Sequence, residues 1–435
     1  MLGFILADLR RSWPGALAVC LIVAFATALG VAVTLQERAL RLGSARAANA
    51  FDLVVGAPGS ETQLVLSGVF LQPAPLPLMP GSVMAGLSTD PRVQWAAPVG
   101  FGDAYQGWPV VGTSQALVDG LGGIAAGATF HLLGDAVVGA DVPLKPGDSF
   151  HPVHAELAET GEVHQGATYT VRGRLAPTGS PWDRAILVPI EAVWQVHGSG
   201  EDHDDHDADA EAVGGAEHHD DDHAAADADG AGGEEHHHHG HLDADAPIRP
   251  ELLADPTAPG LPAVVVRAKK ISDAYNLRQQ YRKGGTVAVF PAEVLTRLYG
   301  TLGDARSVLA AVALAAQVLV AASVLLVVVI HVLQRRRQIG ALRAFGAGRA
   351  AVFAIVWGEV ALIALSGVAV GFALGYGAAR VISARLQAAS GLHLPVEFAP
   401  SDLAGVLALL LAAGLFALLP ALIAYRQPPA AALRG

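Results

Sequence analysis

Gln334–Arg349 reads QRRRQIGALRAFGAGR, with five arginines (Arg335, Arg336, Arg337, Arg343 and Arg349) and no acid. On either side charge almost vanishes. Val308–Leu333 is an uncharged run of 26 residues, and Ala350–Ile382 carries only Glu359 and Arg380. Both flanks exceed the roughly 18 apolar residues at which a membrane span becomes the better reading than a buried soluble helix. A short basic link between two such runs belongs on the cytoplasmic side, where Lys and Arg collect. The stretch therefore anchors a topology from which the rest of the chain is counted off.

Two further runs complete the count. Gly15–Leu35 has 21 residues without a charge, about 31 Å of helix, which matches a bilayer core of about 30 Å. Leu403–Ala424 adds another 22. Ala26-Thr27-Ala28 resembles a signal-cleavage site, but the first run is longer than a signal core of about 7–15 residues, so it is read as a retained helix. The expected fold is an α-helical membrane protein with four transmembrane helices plus an external mixed α/β domain. The expected order is a cytoplasmic segment and first span (1–36), an external domain (37–307), a second span (308–333) and a cytoplasmic helix (334–349). A third span (350–382), an external link (383–402), a fourth span (403–424) and a cytoplasmic tail (425–435) follow. Both termini then lie inside, in agreement with Arg10, Arg11, Arg426 and Arg434, whereas Arg380 and Arg385 fall on the side the rule disfavours.

Composition agrees with a membrane protein carrying one foreign segment. Only 16% of residues are charged and 52% are hydrophobic, against about 25% charged in a soluble domain. Seventeen of the 40 acids lie in 201–245, which has no Lys or Arg, so the remainder holds 28 bases against 23 acids, a net +5. No basic, aromatic-interleaved stretch points to nucleic acid. Cys20 is the single cysteine, which excludes an intrachain disulfide and a Cys-based zinc site. No GxxxxGK[ST] loop is present, so ATP hydrolysis is not expected of this chain.

Within 37–307, short β-rich runs at Phe51–Val55, Pro109–Gly112, Tyr169–Leu175, Ala185–Val188, Ala263–Val266 and Thr286–Phe290 predict strands. Helical spacing follows Val188, covers Asp273–Arg282 and resumes at Ala292. Residues 198–250 differ in kind. With no aromatic in 201–245 and almost no large aliphatic residue, this insert is expected to be disordered. Ten of the 17 histidines stand in it: His203, His206, His218, His219, His223, His236, His237, His238, His239 and His241. Neutral imidazole and carboxylate are donors that borderline divalent ions accept, so these residues are candidate ligands for Zn²⁺, Ni²⁺ or Cu²⁺. The plainer alternative is a solvated linker. No other cofactor is expected.

Ile339, Leu342 and Phe345 recur at about three-residue spacing, one face of a short helix in the basic link. The pattern R-R-R-x-I-G-x-L-R-A-x-G-A resembles the cytoplasmic signature of FtsX-like, MacB-type ABC transporter permeases. The order of one span, a large external domain and three more spans is similar too. The resemblance implies a coupling helix docking on a separate ATPase subunit through Ile339, Gly340, Leu342, Arg343, Phe345 and Gly346. It further implies ATP bound only by that partner, a homodimer in the inner membrane, and a lipoprotein or other periplasmic partner. Phe51–Ser60 (FDLVVGAPGS) and Thr178–Arg184 (TGSPWDR) look like external-domain segments of one branch of these permeases. An enzymatic reading would lean on Ser180 or Asp183, yet nothing in the sequence supplies a triad. Glu359, ten residues past Arg349, falls about 15 Å into the membrane. A charge there costs about 2.5–3.5 kcal/mol on insertion scales, so Glu359 is expected to face the bundle in a structural role, a proton relay being the alternative. Gly367, Gly371, Gly375 and Gly377 are expected to permit close helix contact. A different class of reading is a membrane-anchored metal buffer or sensor that transports nothing.

Overall fold

The structure, a computed structural model, describes residues 2–11, 13–72, 74–154, 166–198, 241–298, 300, 318 and 348–426. Apart from Val318, Gly348 and Arg349, the predicted second span and the basic link lie outside the described residues, as does the greater part of the His-rich insert. In chain order the elements begin with helices α1 (Leu2–Arg11) and α2 (Trp13–Ala48), strand β1 (Leu53–Gly56) and helices α3 (Glu61–Phe70) and α4 (Gly81–Thr89). Next come β2 (Val93–Tyr105), β3 (Trp108–Thr113), α5 (Gln115–Gly120), β4 (Ile124–Gly127), β5 (Asp135–Val138), β6 (Ser149–Phe150) and β7 (Val153–His154). Then follow β8 (Tyr169–Leu175), β9 (Ile186–Pro189), α6 (Ile190–His197), β10 (Ala263–Ala268), α7 (Ile271–Tyr281), β11 (Val287–Val289), α8 (Arg349–Ser390) and α9 (Pro400–Arg426). The chain divides into two compact units, Ala47–Val294 and Met1–Arg46 with Leu295–Gly435.

The Ala47–Val294 unit is built on one mixed sheet of order β11-β1-β10-β2-β3-β9-β5-β8-β4, with β6 on β8 and β7 on β2. Side-chain alternation sorts its residues cleanly. Val54, Val99, Val111, Val137, Leu187 and Val265 point to one face, a single core that α3 and α5 cover with Leu64, Val65, Leu117 and Val118. Their strand neighbours point to the other face, which splits in two. Leu53, Val55, Val264 and Val266 pack under α4 and α7, while Val110, Ala136, Val138, Tyr169, Val171, Ile186 and Val188 pack beneath Ala192 and Val196 of α6. Strands buried on both faces read as unbroken apolar runs, and β1, β5 and β9 are buried at every position.

Strand β2 joins the two halves. Val93–Val99 pairs with β10, the register shifts between Gly100 and Asp103, and Asp103–Tyr105 pairs with β3. Its 13 residues hold Pro98 and two glycines, Gly100 and Gly102, poor strand composition on propensity alone, and the sequence reading missed it. The reading of 198–250 as wholly disordered is corrected at its C-terminal end. Leu242 is buried in the core under α6. The N–H groups of Leu133, Gly134 and Ile248 bond to the carbonyls of Ala246, Ala244 and His131. The alternation of Leu242, Ala244, Ala246 and Ile248 provides the apolar side, which the intervening aspartates disguise.

In the other unit, α2 continues past the predicted end of the first span to Ala48, and α8 continues to Ser390. At 36 and 42 residues they measure about 54 and 63 Å, against a hydrocarbon core of about 30 Å. Among the described residues these are the two helices long and apolar enough to cross a membrane by the stricter measure of hydropathy over 18 residues. Large side chains such as Leu21, Phe25, Leu365 and Leu374 are exposed on them, as are Leu407, Leu411 and Leu415 on α9. Exposed aliphatic helices of this kind suit a lipid solvent.

Candidate functional site: a helix seam closed by an ion-pair clasp

The seam between α2 and α8 begins at Cys20 Sγ, 3.6 Å from Ser366 Oγ. Glycines then bring the backbones together. A Cβ on Gly367 would stand 2.8 Å from the Val23 side chain, one on Gly371 2.4 Å from the Ala24 carbonyl, and one on Gly375 2.6 Å from the Ala28 carbonyl. Gly377 is the exception to the expected set, because a Cβ there would meet nothing within 4 Å among the described residues. It sits two residues beyond Gly375, on another face of the helix. Further along, Ser383 Oγ donates to Gln36 Oε1 at 3.3 Å. Trp357 Nε1 donates to the Gly414 carbonyl at 3.2 Å, tying α8 to α9.

The far end of the seam is held by charge. Arg38 on α2 donates through both terminal nitrogens to Asp402 at the start of α9, at 2.6 and 2.7 Å, and to the Glu397 carbonyl at 3.1 Å. Asp402 also caps its own helix by accepting from Ala399 N at 2.8 Å, and Arg46 reaches Glu397 at 3.0 Å. Side-chain exposures of 23% and 12% keep the Arg38–Asp402 fork partly shielded from water, and such planar two-bond pairs are the strong form of ion pair. Little along the chain signals this clasp. Asp402 reads as an ordinary boundary residue before an apolar run, and Arg38 lies 364 positions away.

Glu359 is buried on α8, 8% exposed. Ile339, Gly340, Leu342, Arg343, Phe345 and Gly346 lie outside the described residues, as do His203, His206, His218, His219, His223 and His236 to His239. His241 is described and exposed. Among the described residues no three His, Cys, Asp or Glu side chains gather as a metal would require.

In the sheet unit the two family-like segments meet. Phe51 packs edge-on against Trp182, centroids 6.0 Å apart. Asp183 is spent on its own loop: it accepts from the N–H groups of Thr178 and Gly179 and from the Thr178 hydroxyl, each at 2.7–2.8 Å. Ser180 Oγ lies 2.6 Å from Thr178 Oγ1. The neighbouring loop is pinned by Arg174, whose guanidinium donates to the carbonyls of Gly139, Ala140, Val142 and Leu144. This is a turn-locking network, with no base beside Ser180 among these contacts. At the root of the insert, His197 Nε2 lies 3.1 Å from Asp103 Oδ2.

Residues 310–430 match the family model for the FtsX-like permease C-terminal domain. Over that stretch the chain carries an FtsX-like permease C-terminal domain. The whole basic link, the predicted third span and the clasp residue Asp402 fall inside the match. FtsX-like permeases are membrane components that work with ABC ATPase partners, and here the permease domain accompanies a mixed α/β sheet unit. The crystal structure of the periplasmic region of MacB from Actinobacillus actinomycetemcomitans aligns with 58% of this chain and 95% of its own at 8% identity, with a TM-score of 0.29. No curated protein matches.

Proposed function

We propose that this chain is the membrane subunit of an ABC complex of the FtsX/MacB type. Four spans per protomer, a homodimer and two separate ATPase subunits make up the assembly, in the inner membrane with the sheet unit in the periplasm. The family match over 310–430 is the observation that carries this reading, since it includes the link in which the arginines cluster. Closure of the ATPase pair on ATP moves the coupling helices. The glycine seam and the Arg38–Asp402 clasp suit helices that move as one body, because close packing ties α2 to α8 and charge ties α2 to α9. Such a device fits mechanical transmission or extrusion of a lipoprotein, a peptide or a periplasmic partner better than a wide solute pore. The histidine-rich insert links the system to transition-metal homeostasis, zinc foremost.

The decisive experiment is co-purification of the full chain in mild detergent. Phe345→Asp is expected to abolish capture of the ATPase while membrane insertion is unchanged, since an unpartnered polar group in such a contact costs about 1–3 kcal/mol. Normal capture with the variant would refute the docking face. A second reading, a membrane-anchored metal buffer or sensor, is favoured by the ten histidines of the insert. It gains if no ATPase accompanies the wild-type chain.

A further inference from the structure

Five arginines stand on the outer parts of α2 and α8: Arg38, Arg41, Arg46, Arg380 and Arg385. The three on α2 face carboxylates, Arg38 with Asp402, Arg41 with Glu37 and Arg46 with Glu397. The two on α8 are the ones the positive-inside rule disfavours, and among the described residues neither has an ion pair or a hydrogen bond. Arg380 is distinguished by its surroundings. Its guanidinium carbon lies 5.9 Å from the centre of the Tyr376 ring. Tyr376 stacks on Phe398 at 4.7 Å, and Phe372 stacks on the same ring at 5.6 Å. Phe398 is 53% exposed, and one turn below Arg380 a Cβ on Gly377 would meet nothing within 4 Å among the described residues.

Depth fits the chemistry. Arg349 and Arg380 are the first and last charges flanking the apolar body of α8, about 46 Å apart along the helix. A bilayer with both headgroup layers is about 40–45 Å thick. With Arg349 among the headgroups of one leaflet, the Arg380 guanidinium reaches the phosphates of the other. Aromatic rings with one wet end favour that same layer. A guanidinium is a planar fork of donors matched to phosphate oxygens.

We propose that Arg380, over the Tyr376–Phe398 stack, binds the phosphate of a phospholipid in the outer leaflet, with the glycerol and upper acyl chain passing over Gly377. This rests on the membrane-spanning reading of α8 and is independent of which ATPase drives the protein.

Native mass spectrometry of the full chain released from mild detergent reads the outcome as retained phospholipid. Wild type and Arg385→Gln are expected to keep a bound lipid, Arg380→Gln to lose it by about tenfold, and Arg380→Lys to keep part, since one charge-assisted bond survives. Circular dichroism and monodispersity establish that each variant folds; if Arg380→Gln fails there, the comparison of Arg380→Lys with wild type decides. Undiminished lipid on the Gln variant would overturn the proposal. Displacement of the lipid by inorganic phosphate alone would reduce the site to a simple anion site and overturn the lipid assignment. A shift in oligomer mass with lipid unchanged would make Arg380 a contact between copies instead. A failed ATPase capture with wild type would bear on the permease reading and leave this measurement standing.

Discussion

Asp183 illustrates how a polar residue in a family-like segment finds employment in structure rather than chemistry. Three donors from Thr178 and Gly179 converge on it while it is 5% exposed. Asp183→Ala is expected to leave those donors unmet and to lower the unfolding free energy by about 2–3 kcal/mol, read from thermal or urea unfolding of the full chain. Asp135 makes a pH-dependent contribution. Burial raises its carboxyl, but the hydrogen bond from Arg172 and those from the N–H groups of His131 and Leu132 outweigh it and hold the group below its usual value. A depressed native value means stability present above the unfolded value of about 3.9 and lost as pH falls through the lower native one. Asp135→Asn should therefore flatten the acid limb of a stability–pH curve and leave its slope above about pH 5 unchanged. An unaltered acid limb would contradict this assignment.

At the scale of elements, the α2–α8 seam is decided by which glycines meet a backbone. Gly371→Ala places a methyl 2.4 Å from the Ala24 carbonyl, a clash between main chains that no rotamer change relieves. It is expected to cost about 1–3 kcal/mol, seen as a lowered melting temperature in detergent. Gly377→Ala meets nothing among the described residues and is expected to be neutral or mildly stabilising, because Ala favours helix over Gly by about 1 kcal/mol. Equal losses from both would show that the seam is not what holds the helices. The sheet offers a similar contrast. Its four-residue apolar strands announced themselves, as β1 and β9 did, whereas α3 and α4 were passed over. Their sequences, ETQLVLSGVF and GSVMAGLST, are too short and too rich in Gly, Ser and Thr to display a helical period. Ser60 at the N-cap of α3, accepting from Gln63 N, was the readable signal.

For the whole molecule, the insert separates what is dispensable from what is built in. Deletion of 201–240 is expected to leave unfolding of the full chain unchanged while removing its zinc-binding heat, which in the intact protein should fade below about pH 6 as imidazoles protonate. Extending the deletion through Ile248 removes buried Leu242 and the backbone pairs to 131–134. That larger deletion should cost about 3 kcal/mol or more, on the scale of emptying a buried leucine site. If both deletions unfold alike, the corrected boundary is wrong. Zinc heat that survives the shorter deletion would clear the histidines of the role.

What the sequence determined by itself was everything that depends on local composition. Apolar runs long enough for a bilayer, arginines crowded into 334–349, valine-rich strands and the acid–histidine segment are all properties of neighbours along the chain. They carry the resemblance to the FtsX-like permeases. The tertiary structure alone decided the pairings between distant residues. Arg38 met Asp402, Phe51 met Trp182, and three glycines of four met a backbone. The physical reason is that a hydrogen bond or a close backbone approach is fixed by positions in space to a few tenths of an ångström. Residue types and spacing only limit which partners are chemically able to meet. Leu242 makes the point within a single segment: its aspartate neighbours set the composition, but the core under α6 decided that it folds.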